Sequence, residues 1–204
     1  EGIKNINPWA FICCYNLESI HIPASLSFIG NGIFGSCYNL RNIVVDPANK
    51  IFDSRDNCNA VIRKSHGILV VGCANTHIPK GVTQIGYSAF SNCCSLESIT
   101  IPEGVTQIGG FAFSSCIDLK SLSLPQSLED IDDGAFGGCE SLQSIVIPKN
   151  VGFIGKSLFR YCNQLVSITV EKGNKRYDSR QNCNAIIETE SNKLVAACAG
   201  TRLI

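Results

Sequence analysis

A phenylalanine recurs at a fixed interval along this chain, and the interval restricts the possible folds more than any other feature. The longest run of phenylalanines 23 positions apart is Phe90, Phe113, Phe136 and Phe159. Phe11 and Phe34 are also 23 apart, and the step from Phe34 to Phe90 is 56, which equals 23 plus 33. Internal periods of this length are typical of solenoids, in which each repeat packs on its neighbours. The sequence therefore predicts a stacked array of repeats.

Each repeat combines a turn segment with a short strand. Ala89, Phe90 and Cys93 are three and four positions apart, which predicts one face of a short helical turn. Ile99 and Ile101 alternate with polar residues, the period of a strand with one buried face. Four glycines that follow an isoleucine are expected to take a positive φ in a turn. They are Gly30, Gly86, Gly109 and Gly155.

Cutting the chain after each strand divides residues 1–204 into eight units of one continuous domain. The predicted units are 1–23, 24–46, 47–79, 80–102, 103–125, 126–148, 149–171 and 172–204. The last unit ends at Ile204 where its counterpart has Pro79, and neither end carries an evident polar cap. Solenoids usually need such caps. We therefore expect a piece of a longer protein or ends covered by partners, including self-association through the ends.

The two 33-residue units are copies of each other, since residues 52–62 match 177–187. In the first copy two apolar runs flank the polar residues 64–67, which predicts a β-hairpin. If residue 63 pairs with 68, the facing pairs are Cys58–Cys73, Ala60–Val71 and Ile62–Leu69. The second copy gives Cys183–Cys198, Ala185–Ala196 and Ile187–Leu194. Both cysteine pairs could form disulfides, although their place on the apolar face favours packed thiols.

Cysteine is unusually frequent, with 12 residues, and half of them share one repeat position. These six are Cys14, Cys37, Cys93, Cys116, Cys139 and Cys162. Because buried free cysteine behaves as a small hydrophobe, they are expected to form a ladder of core thiols. Cys13 and Cys94 lie outside this register and are expected to be more exposed and more reactive. Tyr15 and Tyr38 share the next repeat position, where either a small aromatic patch or partial packing is expected.

A polar segment occurs in both long units, and its interpretation is mainly structural. Its members are Asp53, Arg55, Asn57 and Asn59 in one copy, and Asp178, Arg180, Asn182 and Asn184 in the other. Such side chains cap turns through local hydrogen bonds, and an Asp–Arg pair would brace the hairpin. A calcium loop would need more oxygen ligands than are clustered here.

Charge and motifs exclude several classes of function. The 17 basic residues balance the 17 acidic ones, so no basic field attracts nucleic acid or anionic lipid. No apolar run has the length of a transmembrane helix, and no signal peptide is visible. Motifs for a nucleophile elbow, a phosphate loop or a zinc protease are absent, so no cofactor is expected. A Cys–His nucleophile pair is the remaining route to an enzyme.

The outward residues of the predicted strands form two stripes, which together define the strand face. One stripe is Ser19, Asn42, Asn75, Ser98, Ser121, Ser144, Ser167 and Gly200. The other is His21, Val44, His77, Thr100, Ser123, Val146, Thr169 and Arg202. This face is small, polar and nearly uncharged, so it is either a solvated sheet or a broad, weak surface for protein or glycan. His21 and His77 are about 10 Å apart by strand spacing, too far to share a metal, and none is expected.

The segments Leu96–Pro102 and Leu119–Pro125 carry an L-x-x-L-x-L core, preceded by Ile-Gly-x-x-Ala-Phe-x-x-Cys. With these motifs the repeat resembles the BspA-like (Treponema-type) leucine-rich repeats, and the 33-residue units resemble a variant found in Bacteroides-type surface proteins. The resemblance implies a right-handed leucine-rich-repeat solenoid, β-rich within the α/β class, with one parallel sheet. It also implies an extracellular or cell-surface location and a non-catalytic module for adhesion to host or neighbouring-cell surface proteins. The alternative is a structural spacer without a ligand.

Overall fold

Short parallel strands stacked coil on coil build a β-solenoid of about seven turns, in a computed structural model that describes residues 2–203. Six strands at the predicted positions form the first ladder: Ser19–Ile22, Asn42–Val45, Ser98–Thr100, Ser121–Ser123, Ser144–Ile147 and Ser167–Val170. They pair in parallel two by two, with Ile20 beside Ile43 and Ile145 beside Ile168. Glu1 and Ile204, which bound the first and last predicted units, lie outside the described residues.

A second ladder of two-residue strands runs along another side of the coils. Its strands are Asn5–Ile6, Phe28–Ile29, Gln84–Ile85, Gln107–Ile108, Asp130–Ile131 and Phe153–Ile154. Adjacent strands again pair in parallel, with Ile108 between Ile85 and Ile131. The sequence predicted one parallel sheet, so this ladder is an addition. A strand of two residues has no detectable alternation, which is why the pattern did not reveal it.

The turn segments 8–13, 31–36, 87–92, 110–115, 133–138 and 156–161 are chains of tight turns. The predicted helical turn is wrong, because residues such as Ser88 and Asn92 take positive φ values of 54° and 58°. Alternate N–H groups donate to the following coil instead, from Phe90 to the carbonyl of Ala112 and from Asn92 to that of Ser114, both at 2.7 Å. The turn side of the solenoid is therefore also held by backbone hydrogen bonds between coils.

The positive φ predicted for Gly30, Gly86, Gly109 and Gly155 is wrong. These glycines instead allow the backbone of the preceding coil to approach closely. A Cβ at Gly86 would lie 2.8 Å from the carbonyl oxygen of Leu69, and one at Gly109 would lie 2.9 Å from the nitrogen of Tyr87. Glycine is needed here because the neighbouring backbone occupies the space of a side chain.

Stacked phenyl rings and a thiol ladder fill the core beneath the turn segments. The ring of Phe113 lies 5.0 Å from that of Phe90 and 5.7 Å from that of Phe136, nearly parallel to both. The Cys116 and Cys139 thiols donate to backbone carbonyls of the preceding coil at 3.1 and 3.2 Å. Burial raises the pKa of both thiols, as expected for packed cysteines.

Two cysteine predictions need correction. Cys14 is exposed. The thiols of this ladder point toward the preceding coil, and residues 2–203 contain no coil before that of Cys14. Cys94 is half-buried rather than exposed, with its thiol 3.6 Å from the carbonyl oxygen of Ser115. Cys13 is exposed as predicted.

Each long unit contributes three antiparallel strands and short 3₁₀ turns. The strands are Phe52–Asp53, Ala60–Arg63 and Ile68–Gly72 in the first unit, and Tyr177–Asp178, Ala185–Glu188 and Lys193–Ala197 in the second. The 3₁₀ turns are Arg55–Asn57, Ser65–Gly67 and Arg180–Asn182. Strand Ile68–Gly72 also pairs in parallel with Gln84–Ile85, which joins the first long unit to the second ladder.

A β-bulge shifts the predicted pairing in both long units. Ile62 faces Leu69 and Ile187 faces Leu194, as predicted. Beyond the bulge, Ala60 faces Gly72 instead of Val71, and Ala185 faces Ala197 instead of Ala196. The cause is one extra residue in the second strand of each pair, Val70 in the first long unit and Val195 in the second.

The bulge also removes the predicted pairing of Cys58 with Cys73 and of Cys183 with Cys198. All twelve cysteines are free thiols within residues 2–203. The packed-thiol alternative is therefore the one observed, with the Cys73 thiol 3.5 Å from the carbonyl oxygen of Asn59.

One asparagine in each long unit, buried in the first and half-buried in the second, connects that unit to the preceding coil. Asn49 is fully buried. Its amide nitrogen donates to the carbonyls of Pro23 and Leu26 at 2.9 and 3.0 Å. Its amide oxygen accepts from the N–H groups of Ile51 and Phe52 at 2.9 and 2.8 Å. Asn174 repeats this arrangement in the second long unit.

Candidate functional site

The strand face is exposed along nearly its whole length. Its exposed members are Ser19, His21, Asn42, Val44, Asn75, His77, Ser98, Thr100, Ser121, Ser123, Ser144, Val146, Thr169 and Arg202, whereas Ser167 and Gly200 are half-buried. The residues between them face the core, as in Asn42–Val45, where exposed and buried positions alternate. Register aligns the stripes, with His21 beside Val44 and Val146 beside Thr169. The exposed positions agree with the predicted outward direction of these side chains, and their role in binding stays a prediction.

The long units interrupt the strand face, which the sequence did not reveal. Asn75, His77 and Arg202 lie in irregular segments rather than in strands. Thr76 occupies the position that an isoleucine holds in other coils, and its hydroxyl donates to the carbonyl of Asn59 at 2.6 Å and accepts from the N–H of Cys73 at 2.8 Å. These bonds tie the segment to the hairpin. The continuous part of the face therefore runs over the strands from 98 to 170.

The strand face offers mainly hydroxyl and amide groups, together with two histidines, one arginine and two exposed valines. Val44 and Val146 are 40% and 51% exposed, which makes them apolar contact points on an otherwise polar surface. At one edge, Glu18, Ser19, Asn39, Arg41 and Asn42 line a shallow depression of about 430 Å³. Within residues 2–203 no group of three or more His, Cys, Asp or Glu side chains is arranged to hold a metal ion.

The repeated polar segment braces the hairpins, as its structural interpretation predicted. The Arg55 guanidinium donates from Nε and Nη2 to the two carboxylate oxygens of Asp53 at 2.9 and 2.8 Å. Asn57 and Asn59 take positive φ values of 52° and 53°, a conformation that asparagine tolerates. Ser54, which lies between Asp53 and Arg55 in the sequence, accepts a hydrogen bond from the N–H of Val45 at 2.9 Å. The segment thus fixes the hairpin to the end of a first-ladder strand.

The second copy of the brace predicts a pH-dependent stability. Arg180 donates to both carboxylate oxygens of Asp178 at 2.8 and 2.6 Å, and these hydrogen bonds lower the pKa of Asp178. A carboxyl with a lowered folded-state pKa stabilises the fold above its unfolded pKa of about 4 and loses this contribution as the pH falls through the folded value. We therefore expect Asp178→Asn to lower the Tm at pH 7, and the difference from the parent to vanish in strong acid.

Thermal melts monitored by circular dichroism between pH 7 and about pH 2 would measure this difference. Asp118→Asn is the matched control, since Asp118 is exposed and has no salt bridge within residues 2–203. A deficit of Asp178→Asn that stays constant down to the lowest pH would contradict an ionic brace.

Exposed aromatic rings on the turn side are a second feature of the surface. Tyr15 and Tyr38 stack at 5.3 Å and are 51% and 42% exposed, so the predicted aromatic patch exists. Tyr87 packs edge-on against Phe111 at 5.7 Å. Tyr161 is 63% exposed, with the Arg160 guanidinium 4.7 Å from its ring centroid. Tyr87 and Tyr161 occupy repeat positions different from that shared by Tyr15 and Tyr38, so spacing does not group them.

Known proteins with the same architecture are bacterial leucine-rich repeat proteins. The crystal structure of the pneumococcal vaccine antigen PcpA superposes with a TM-score of 0.73 and 28% sequence identity, covering 85% of this chain and 44% of PcpA. A leucine-rich cell surface protein from Faecalibacterium prausnitzii superposes with a TM-score of 0.67 and 29% sequence identity, covering 82% of this chain and 45% of that protein. The chain thus spans less than half the length of either.

The leucine-rich repeat protein of T. pallidum is also similar, with a TM-score of 0.52 and 28% identity over 84% of this chain and 63% of its own length. No curated protein matches the sequence significantly. Among residues 2–203, no helix has the length and apolar character needed to cross a membrane. The family described as the BspA type leucine rich repeat region matches in six copies over residues 1–60 and 72–186. By this match over most of its length, the chain belongs to the BspA-type leucine-rich repeat family.

Proposed function

We propose that this chain is a non-catalytic module for protein binding and adhesion in a bacterial cell-surface or secreted protein. The observation that carries the proposal is the strand face, an exposed surface of paired parallel strands whose small side chains lie in register within each pair. Between residues 98 and 170 the outward positions carry only serine, threonine and Val146, so no long or charged side chain projects from this part of the face. Such a surface suits a broad contact with another protein better than a small-molecule site, which is normally concave.

Two further points support the proposal. The neighbour from F. prausnitzii is described as a cell surface protein, and an extracellular location is proposed here by this similarity. Repeat solenoids commonly use their extended strand surface for binding. The solenoid is also proposed to be right-handed, with the two 33-residue units as hairpin insertions in an array of 23-residue repeats. Their antiparallel strand pairs support this description.

A charge-insertion experiment tests the strand face. Thr100→Lys with Ser123→Lys places two cations side by side on it, since residues 100 and 123 are paired in register. The matched control, Asn163→Lys with Gln164→Lys, carries the same charge at exposed positions outside the strands. We expect purified host cell-surface proteins captured by the parent to bind the first variant at least about tenfold more weakly and the control equally well.

The structural spacer is the alternative function, and the same experiment separates the two. A spacer would capture no protein specifically in any of the three forms. Equal capture by the parent and both variants would instead place binding on another surface and refute the strand face as the contact site.

A further inference from the structure

A groove crosses the turn side where one coil lacks side chains. In the coil that contains Phe136, the residues that line the groove include Gly134, Gly137 and Gly138. At the same repeat positions the preceding coil carries Phe111, Ser114 and Ser115, and the following coil carries Ser157, Arg160 and Tyr161. The glycines therefore leave a trench of about 470 Å³ between two coils with side chains, which is within the size range of small-ligand sites.

Aromatic rings form two sides of this groove. The ring of Phe111 lies over Gly134, where a Cβ would come within 2.7 Å of its Cε1 atom, so only glycine leaves room for the ring. Phe111 is nevertheless 42% exposed and presents ring surface to the groove. On the far side, Arg160 stacks on Tyr161 and donates to its hydroxyl at 2.8 Å, which holds the tyrosine ring in place.

Polar groups with unused hydrogen-bonding capacity line the remaining sides. Within residues 2–203, the hydroxyls of Ser114, Ser115 and Ser157 and the Lys156 ammonium make no side-chain hydrogen bond or salt bridge. Asp133 also lines the groove, and one of its carboxylate oxygens accepts from the N–H of Lys156. Two cations thus face one carboxylate, so the groove carries a net positive charge.

The floor does not suit an extended peptide. Its N–H groups already donate within the protein, from Gly134 to Lys156, from Gly137 to Gly134 and from Gly138 to Arg160, at 2.8, 2.9 and 2.6 Å. A peptide strand would therefore find no free backbone ladder on which to pair. A sugar ring needs none, because its apolar face packs on aromatic rings and its hydroxyls bond to serine, aspartate and lysine.

We propose that this groove binds a carboxylate-bearing sugar ring, with the ring against Phe111 or Tyr161, its hydroxyls on Asp133 and the serines, and its carboxylate near Lys156 and Arg160. The proposal concerns a different surface from the strand face and does not depend on the proposed function. Sialic acids and uronic acids both supply this chemistry, so the test includes one of each.

Calorimetric titration of the whole chain with 3′-sialyllactose, a hyaluronan disaccharide and neutral lactose tests the proposal. We expect at least one acidic sugar to bind about fivefold or more tightly than lactose. Raising the ionic strength from about 0.05 M to about 0.5 M should weaken that preference. Binding of 3′-sialyllactose would identify a sialic acid as the ligand, and binding of the hyaluronan disaccharide would identify a uronic acid.

Gly137→Ile should abolish binding by filling the trench. A Cβ at Gly137 has its nearest neighbour at 3.4 Å, and the first coil carries exposed Ile12 at this repeat position, so the fold should accept the change. Gly152→Ile is the control, since a Cβ there meets nothing within 4 Å and the residue lies outside the groove. Tyr161→Ser is a second variant, with Ser115 holding a similar φ of 59° at this repeat position.

Three results would overturn the proposal. One is no preference for either acidic sugar over lactose. Another is undiminished binding of the acidic sugars by both Gly137→Ile and Tyr161→Ser. The third is binding of an acidic peptide, Ac-Gly-Glu-Glu-Gly-NH₂, by a chain that binds neither acidic sugar.

Discussion

Phe113→Ala should lower the free energy of unfolding by about 3–5 kcal/mol, the usual cost of removing a fully buried aromatic ring. The ring is 0% exposed and lies between those of Phe90 and Phe136, so its loss leaves a cavity in the middle of the stack. Neither neighbour can close the gap, because each ring is fixed by the backbone ladder of its own coil. Since each coil supports the next, the loss should destabilise the array rather than one turn.

Urea unfolding followed by circular dichroism measures this cost, and Phe153→Ala supplies a control of the same chemistry. Phe153 lies in the second ladder but is 43% exposed, so its removal should cost no more than about 1 kcal/mol. Equal losses for the two variants would mean that the stacked rings do not form the core that the 23-residue interval predicts.

The repeat made the first ladder and the phenyl stack predictable because both follow from spacing alone. One alternating segment such as 98–101 identifies a strand, and its recurrence assigns the buried face in every coil. Spacing alone cannot separate a helical turn from a ribbon of tight turns, since both bury residues three and four apart. The choice depends on φ at repeat positions such as that of Ser88, where other coils carry Trp9, Gly32 and Phe111, all with positive φ. No single residue type marks this position in the sequence.

The strand face was predictable for the same reason as the first ladder, and its interruption was not. Thr76 stands where an isoleucine is expected, and only the hairpin carbonyl of Asn59 explains why a threonine is buried there. The groove, in contrast, could have been predicted from the sequence. Aligning the coils shows glycine at 134, 137 and 138, where adjacent coils have larger side chains, so missing side chains mark the site.

Asn49→Ala should be the second most damaging change, with a loss of roughly 3 kcal/mol in the free energy of unfolding. The amide of Asn49 makes four hydrogen bonds to backbone groups of two coils. Alanine removes all four bonds in a site that is 0% exposed. The Pro23 carbonyl keeps the N–H of Leu26 as a donor, and water cannot replace the other bonds without opening the coil. Urea unfolding again gives the measurement.

Asn150→Ala is the matched control, because the Asn150 side chain makes one hydrogen bond, to the carbonyl of Gln126, at an exposed position. It should cost at most about 1 kcal/mol. Asn49→Asp isolates the two donated hydrogen bonds, since aspartate has nearly the same shape and can still accept from Ile51 and Phe52 but cannot donate to Pro23 and Leu26 when ionised. If Asn49→Asp were as stable as the parent at pH 7, the two donated bonds would contribute nothing. The asparagine would then act through its two accepted bonds and by filling space between the long unit and the coil before it.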